Sequence, residues 1–248
     1  MIKDGINETE DGVLSFLMIG QSNMAGRGDF TDVEEIKNKS CFMLRMGRWQ
    51  QMAEPINPDR PIFKPSFHSG TCLAASFADS LAKHTGRKIG LIPCADGGTR
   101  IAQWMPGEVL FDHAVMMTKL ALRSSKLGGF LWHQGESDCR PETFPLYKER
   151  FLTMARAFRE ELDAGSVPFL IGELSENIAE KWERGDYPKR MNELFYEIAK
   201  ELPNCAVVPA RELPLMPDGI HFTSPSLRTL GNRYFEQYLD LTEGEKRA

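Results

Sequence analysis

The chain has 248 residues, of which 42% are hydrophobic and 26% are charged, and its formal net charge is −5. This length suits one α/β domain over residues 1–248, and the composition is that of an ordinary soluble globular protein. The acidic balance argues against a nucleic-acid-binding protein, and no apolar run reaches the roughly 18 residues that cross a membrane.

The first twelve residues are polar and acidic, without the basic start and apolar stretch of a secretory signal. The five cysteines form no Cys-x-x-Cys pair, which favours buried free thiols over a zinc site. Free thiols are typical of a reducing compartment. We therefore expect a cytoplasmic protein.

Apolar runs alternate with helical patterns along the chain. Such alternation predicts a parallel sheet covered by helices on both faces, with all strand carboxyl ends at one edge. The strands are predicted at residues 13–19, 41–44, 88–93, 129–133, 168–174 and 205–209, and the helices at residues 73–84, 111–124, 142–162, 188–202 and 226–241. The proline-rich stretch 46–67 has little periodicity and is predicted to be a functional loop or lid.

A candidate nucleophile follows the first predicted strand. Gly20 allows a sharp turn there, and Ser22 then lies at the carboxyl edge of the sheet, where open α/β folds keep their sites. A serine near a helix start is also a common helix cap, so this position alone does not define a site.

A candidate base comes near the end of the chain. Asp218 and His221 are three residues apart, so one turn of backbone brings both side chains to the same side. A serine needs an imidazole to accept its proton, and the imidazole needs a carboxylate to fix its tautomer. The alternative is that Asp218-Gly219 is a simple turn and His221 a surface residue.

Two further strand ends offer hydrogen-bond donors for an oxyanion. Gly97 belongs to a glycine pair after the third predicted strand, in a loop that lacks the lysine of a phosphate-binding loop. Gln134 follows the fourth predicted strand, and its alternative role is a structural tie to backbone groups. His133 and Glu136 have no obvious third ligand, so no metal and no cofactor are expected.

Four blocks occur in order: Gly20-Gln21-Ser22-Asn23, Gly97-Gly98-Thr99, His133-Gln134-Gly135-Glu136 and Asp218-Gly219-Ile220-His221. Together they resemble the SGNH-hydrolase superfamily. Within it the sequence looks like the carbohydrate acetylesterase branch, which includes acetylxylan esterases of carbohydrate esterase family 6 and sialate O-acetylesterases.

The resemblance implies a three-layer α/β/α sandwich with a central parallel sheet. It implies Ser22 as nucleophile, Asp218 and His221 as the assisting pair, and an oxyanion hole made of Ser22, Gly97 and Gln134. Glu136, in the third block, would orient His221 or brace the site. The last two candidates are Arg100 and Trp104, which follow the glycine block and could line the substrate cleft, with core packing as the alternative for Trp104.

The function we expect is therefore hydrolysis of O-acetyl esters on a small carbohydrate, an acetylated xylo-oligosaccharide or sialic acid, through an acetyl-enzyme. One alternative is an esterase or thioesterase of other small acyl esters. The other is a non-catalytic carbohydrate-binding protein on the same fold, which the filled catalytic positions disfavour.

Overall fold

The computed structural model describes residues 12–58, 68–178 and 180–244. Within these ranges the chain forms a seven-stranded sheet in the order β3-β2-β4-β1-β5-β6-β7. Every neighbouring pair is parallel except β2 with β3. The strands are β1 (Val13–Gly20), β2 (Cys41–Arg45), β3 (Arg48–Gln51), β4 (Ile89–Pro93), β5 (Ser125–His133), β6 (Phe169–Gly172) and β7 (Cys205–Val208).

Helices cover both faces of this sheet. They are α1 (Ser22–Ala25), α2 (Leu73–Thr85), α3 (Val109–Ala121), α4 (Tyr147–Glu161), α5 (Tyr187–Glu201) and α6 (Ser224–Glu243). Short 3-10 turns lie at Phe30–Asp32, Ile101–Trp104, Phe144–Leu146 and Glu180–Trp182.

Two hydrophobic cores separate the three layers. One core contains side chains of α3, α4 and α5, and the other contains side chains of α2 and α6. The central strand β1 contributes side chains to both cores: Leu17 and Ile19 lie in the first core, and Phe16 and Met18 lie in the second. The predicted three-layer α/β/α sandwich is thereby confirmed, and β1 is apolar except for Ser15 because both of its faces are covered.

The carboxyl ends of β1, β4 and β5 lie together in the middle of the sheet. Strands β2, β3 and β4 all lie on one side of β1, and the chain then crosses to β5 on the other side. Open α/β sheets form a crevice at such a reversal of strand order. Three of the four predicted site blocks follow these strands, so the topology brings those three to one place, and the fourth lies in the turn before α6.

The prediction that residues 46–67 form a loop is wrong at its start. Arg48–Gln51 is strand β3, which pairs antiparallel with β2 through a turn at Met46 and Gly47. Both turn residues have positive φ, of 52° and 75°, as a tight two-residue hairpin turn requires. The strand is polar because it is an exposed edge, so it lacks the apolar signal used to find strands. Residues 59–67 of the predicted loop lie outside the described residues.

Boundaries differ elsewhere by a few residues. Strand β5 begins at Ser125, four residues before its prediction, where polar residues pair with the start of β1. Helix α4 begins at Tyr147, because the preceding Phe144–Leu146 forms a separate 3-10 turn. The five cysteines are free, and none of the described helices is long and apolar enough to span a membrane.

Candidate active site

Ser22 is the first residue of helix α1, immediately beyond strand β1, and its side chain is 4% exposed. Gly20 makes the turn possible. Its φ is +125°, and a Cβ at this position would lie 2.2 Å from the backbone oxygen of His133. Only glycine allows β1 and β5 to approach this closely, so Gly20 fixes where Ser22 leaves the sheet.

Asp218, His221 and Ser22 form one hydrogen-bonded chain. His221 Nε2 lies 2.8 Å from Ser22 Oγ, and His221 Nδ1 lies 2.7 Å from Asp218 Oδ2. The turn before α6 holds the carboxylate in place, since Asp218 Oδ1 accepts the backbone N–H groups of Ile220 and His221, each at 3.0 Å. The side chains of His221 and Asp218 are 17% and 37% exposed, so the site opens to solvent.

The electrostatics keep the Asp218 carboxyl ionised. Burial alone would raise its pKa, but the backbone N–H groups of His221 and Ile220 and the His221 ring outweigh burial. The pKa of Asp218 therefore lies below its ordinary value. An ionised carboxylate at Nδ1 leaves the Nε2 lone pair of His221 facing the Ser22 hydroxyl.

Gly97 lies in the loop after β4, which begins next to the end of β1. The backbone N–H of Asp96 donates to the oxygen of Gly20 at 2.9 Å, which ties the loop to the end of β1. Ser22 is the first residue of α1, and its own backbone N–H has no acceptor within the helix. Two backbone donors thus lie at adjoining strand ends.

Gln134 does not fit its predicted role as an oxyanion donor. Its Nε2 donates to the oxygen of Thr99 at 3.0 Å and to Asp138 Oδ2 at 2.6 Å, and its Oε1 lies 2.9 Å from the Tyr147 hydroxyl. The side chain is fully buried. Because both N–H bonds already have acceptors, the structure agrees with the structural alternative, in which Gln134 ties neighbouring loops together.

Glu136 braces the site and does not contact the His221 ring. Its Oε1 accepts Asn23 Nδ2 at 2.7 Å, and Asn23 in turn bonds to the backbone on both sides of His221. Burial raises the pKa of Glu136, whereas burial lowers the pKa of the neighbouring His133 to about 3. His133 is therefore a neutral, fully buried ring at the end of β5.

The two candidates for the substrate cleft, Arg100 and Trp104, lie in different environments. Arg100 is exposed on the loop that carries Gly97, which is compatible with a cleft position. Trp104 is 0% exposed, packs edge-on against Trp132 with 5.5 Å between ring centroids, and donates Nε1 to Thr99 Oγ1 at 3.1 Å. The prediction that Trp104 lines the cleft is wrong, because its ring is part of the core.

Sequence reasoning assigned no role to Asn23 or Arg184. Asn23 was visible as part of the first block, but its hydrogen-bond partners lie 113 to 199 residues away in sequence. Arg184 precedes α5, is 8% exposed, and carries two buried nitrogens, Nε and Nη1, without an acceptor among the described residues. No local pattern marks it. Within the described ranges no group of three or more His, Cys, Asp or Glu side chains is arranged to hold a metal.

A mostly parallel α/β sandwich with linked Ser, His and Asp side chains at one edge of its sheet is typical of serine hydrolases and fits the SGNH type. The comparison with known families agrees. A model of the family described as "Carbohydrate esterase, sialic acid-specific acetylesterase" matches residues 13–240. The chain belongs to this family, which confirms the carbohydrate acetylesterase branch indicated by the four blocks.

Individual relatives support the assignment. The probable carbohydrate esterase At4g34215 of Arabidopsis thaliana is 29% identical over 244 residues, covering 90% of this chain and 89% of the relative. The X-ray structure of the Arabidopsis thaliana protein has a TM-score of 0.80 at 26% identity, over 92% of this chain and 98% of that one.

Two other solved structures share the fold. NanS has a TM-score of 0.76 at 18% identity, over 94% of this chain and 98% of its own. A carbohydrate acetylesterase from Xanthomonas citri has a TM-score of 0.64 at 20% identity, over 93% of this chain and 57% of that one.

Proposed function

We propose that this chain is a serine esterase that removes O-acetyl groups from a carbohydrate through an acetyl-enzyme. The observation that carries the proposal is the continuous hydrogen-bonded line from Asp218 through His221 to Ser22, with separations of 2.7 and 2.8 Å. Membership of the carbohydrate esterase family supplies the acetyl ester as the bond that is cleaved.

In the first half-reaction Ser22 Oγ attacks the acetyl carbonyl carbon while its proton moves to His221 Nε2. The bond between the carbonyl carbon and the sugar oxygen then breaks, and His221 returns the proton to that oxygen. In the second half-reaction a water molecule attacks the acetyl-enzyme and gives a proton to His221. The Ser22 ester bond breaks, acetate leaves, and Ser22 regains its proton.

The negative charge that develops on the carbonyl oxygen needs hydrogen-bond donors. We assign this role to the backbone N–H groups of Ser22 and Gly97, which follow the adjoining strands β1 and β4. Backbone donors suit the role because they are already oriented before the reaction. Gln134 contributes by holding the loop at Thr99, two residues after Gly97.

Among the sugars left open by the sequence, we propose an acetylated sialic acid over a neutral xylo-oligosaccharide. Arg100 is exposed on the Gly97 loop, and Arg184 has two buried nitrogens without an acceptor in the part of the chain that the structure describes. Burial lowers the pKa of Arg184, and the charges of Arg140 and Arg100 lower it further, whereas Cys139 and Glu136 raise it, so three cations lie near one carboxyl group. In a chain of net charge −5 such a group of cations favours a substrate with a carboxylate.

The test is acetate release from three substrates at equal concentration: an O-acetylated sialic acid, an acetylated xylobiose and an aryl acetate. We expect kcat/KM at least about tenfold higher for the sialic acid than for the xylobiose, which corresponds to one bidentate arginine contact of about 1.4 kcal/mol or more. Arg100→Ala should raise KM for the sialic acid and leave KM for the aryl acetate unchanged.

Other results would overturn parts of the proposal. A preference for xylobiose would contradict the charged substrate and leave the esterase intact. Faster hydrolysis of longer acyl esters or thioesters would favour the first alternative function. A folded protein that binds acetylated sugars without releasing acetate would be a carbohydrate-binding protein on this fold.

A further inference from the structure

Asn23 joins the nucleophile's helix to the loop that carries the base. Phe222 donates its backbone N–H to Asn23 Oδ1 at 3.1 Å, and Asn23 Nδ2 donates to the backbone oxygen of Ile220 at 3.2 Å. These two residues flank His221. The Asn23 carboxamide therefore pairs with the backbone around His221 as a neighbouring strand would, and it does so from the position directly after Ser22.

Asn23 is not acting as a helix cap. The start of α1 has no side-chain cap bond, and the Asn23 side chain is 2% exposed and directed away from its own helix to residues almost 200 positions later. All of its bonds to the backbone end on the His221 loop.

Glu136 helps to fix which way the Asn23 carboxamide faces. Its Oε1 accepts Asn23 Nδ2 at 2.7 Å, and it is 1% exposed. A carboxamide rotated by half a turn would place its oxygen against two acceptors, Glu136 and the oxygen of Ile220, and its nitrogen against the N–H of Phe222. Because all three contacts would be lost, Glu136 reinforces the orientation that the backbone of Ile220 and Phe222 also favours.

Proton transfer requires a fixed distance between Ser22 on α1 and His221 on its loop. Asp218 sets the tautomer and tilt of the His221 ring from within the same turn, but it does not tie that turn to α1. Asn23 provides that tie beside the 2.8 Å contact of Ser22 and His221. We propose that Asn23 and Glu136 are positioning residues, which hold the His221 loop at the distance from Ser22 that proton transfer requires.

This inference rests on the proposed function, because it concerns the proton transfer between Ser22 and His221. Displacing a catalytic group by about 1 Å costs on the order of 10²-fold in rate. We therefore expect Asn23→Ala to lower kcat for an aryl acetate about 10- to 100-fold with KM changed less than about threefold. Glu136→Gln should lose less, since the glutamine oxygen still accepts from Asn23.

Exchanging the amide of Asn23 and the carboxylate of Glu136 gives a sharper test. Asn23→Asp places a carboxylate against that of Glu136, and we expect it to lower kcat at least as much as Asn23→Ala. Adding Glu136→Gln to Asn23→Asp lets the new amide donate to the new carboxylate, so part of the lost kcat should return. A double variant with no recovery over Asn23→Asp alone would contradict the role of Glu136.

Asn192 offers a matched control. It is also buried, at 4% exposed, and its carboxamide bonds to the backbone N–H and oxygen of Leu174 at 2.8 and 3.0 Å. Asn192→Ala should lower stability to a similar extent but leave kcat per active site unchanged. All rates are divided by the fraction of sites that a fluorophosphonate titrates, so that loss of folded protein does not count as loss of kcat.

The outcomes separate the two proposals. If wild type is active and Asn23→Ala keeps wild-type kcat per titrated site, or falls no further than Asn192→Ala, the positioning role is wrong and the esterase stands. If wild-type protein is neither labelled at Ser22 nor able to hydrolyse an aryl acetate, the proposed function fails and the positioning role fails with it.

Discussion

Replacing Asp218 by asparagine changes one proton position and little else. The carboxamide keeps an oxygen for the backbone N–H groups of Ile220 and His221, which donate at 3.0 Å. Its NH2 group, however, takes the position 2.7 Å from His221 Nδ1. Two donors cannot share that contact, so the ring adopts the tautomer with its proton on Nε2. In that form Nε2 cannot accept the Ser22 proton.

In enzymes that use a Ser-His-Asp triad this change lowers kcat by about 10⁴-fold, which is roughly 5.5 kcal/mol of barrier. The Asp218 side chain is 37% exposed, so an asparagine there can turn partly towards water and relieve the contact. We therefore expect a loss of about 10³- to 10⁴-fold in kcat, with KM nearly constant. Stability should change little, because the turn keeps its backbone hydrogen bonds.

The assay is steady-state hydrolysis of an aryl acetate by wild type, Asp218→Asn and Glu136→Gln, each corrected for titrated sites. Asp218→Asn should be far more damaging than Glu136→Gln, because Asp218 bonds directly to the His221 ring whereas Glu136 bonds to Asn23, which holds the His221 loop. A nearly silent Asp218→Asn beside a severe Glu136→Gln would refute this reasoning and make Glu136 the partner of His221.

Three further variants test residues around this group. Gln134→Ala should lower the free energy of unfolding by about 2–4 kcal/mol, because it removes the buried hydrogen bonds to Asp138 Oδ2 and to the oxygen of Thr99. Unchanged stability with kcat lowered 10²- to 10³-fold would restore Gln134 as an oxyanion donor. Trp104→Phe should cost about 1–3 kcal/mol of stability, through the bond to Thr99 and lost packing, with KM unchanged; a raised KM in a fully stable variant would return Trp104 to the cleft. The pKa of His133 is about 3 in the folded chain against an ordinary 6.5, so the unfolded chain takes up a proton first and stability falls as pH drops from 6.5 towards 3. Urea unfolding should show that His133→Gln reduces the loss between pH 6.5 and 5.5 by about 1 kcal/mol, and equal pH slopes would contradict this.

The layered fold could be predicted because its signal is local. The six apolar strands and five of the helices carry their periodicity within 4 to 21 residues of sequence, and burial on both faces enforces it. Strand β3 was not predicted from the sequence. Arg48–Gln51 is exposed at the sheet edge and is held by pairing with β2, so it has no apolar pattern.

For Ser22, His221 and Asp218 the local features left other roles open, and only the ordered blocks that resemble SGNH hydrolases indicated that they act together. The roles of Gln134 and Trp104 depend on what surrounds them in three dimensions. Gln134 has the side chain of an oxyanion donor, but Asp138 and Thr99 occupy its N–H bonds. Contacts of this kind join residues whose sequence separation carries no pattern.

The central claim is that Ser22 is the nucleophile of this esterase. The most direct measurement treats the purified chain with a fluorophosphonate, locates the adduct by peptide mass spectrometry and follows hydrolysis of an aryl acetate in parallel. We predict one adduct per chain, on Ser22, with activity lost in proportion to labelling. We further predict that folded Ser22→Ala stays unlabelled with kcat lowered about 10⁴- to 10⁶-fold. Near wild-type hydrolysis by folded Ser22→Ala, or an adduct on another residue, would contradict the account.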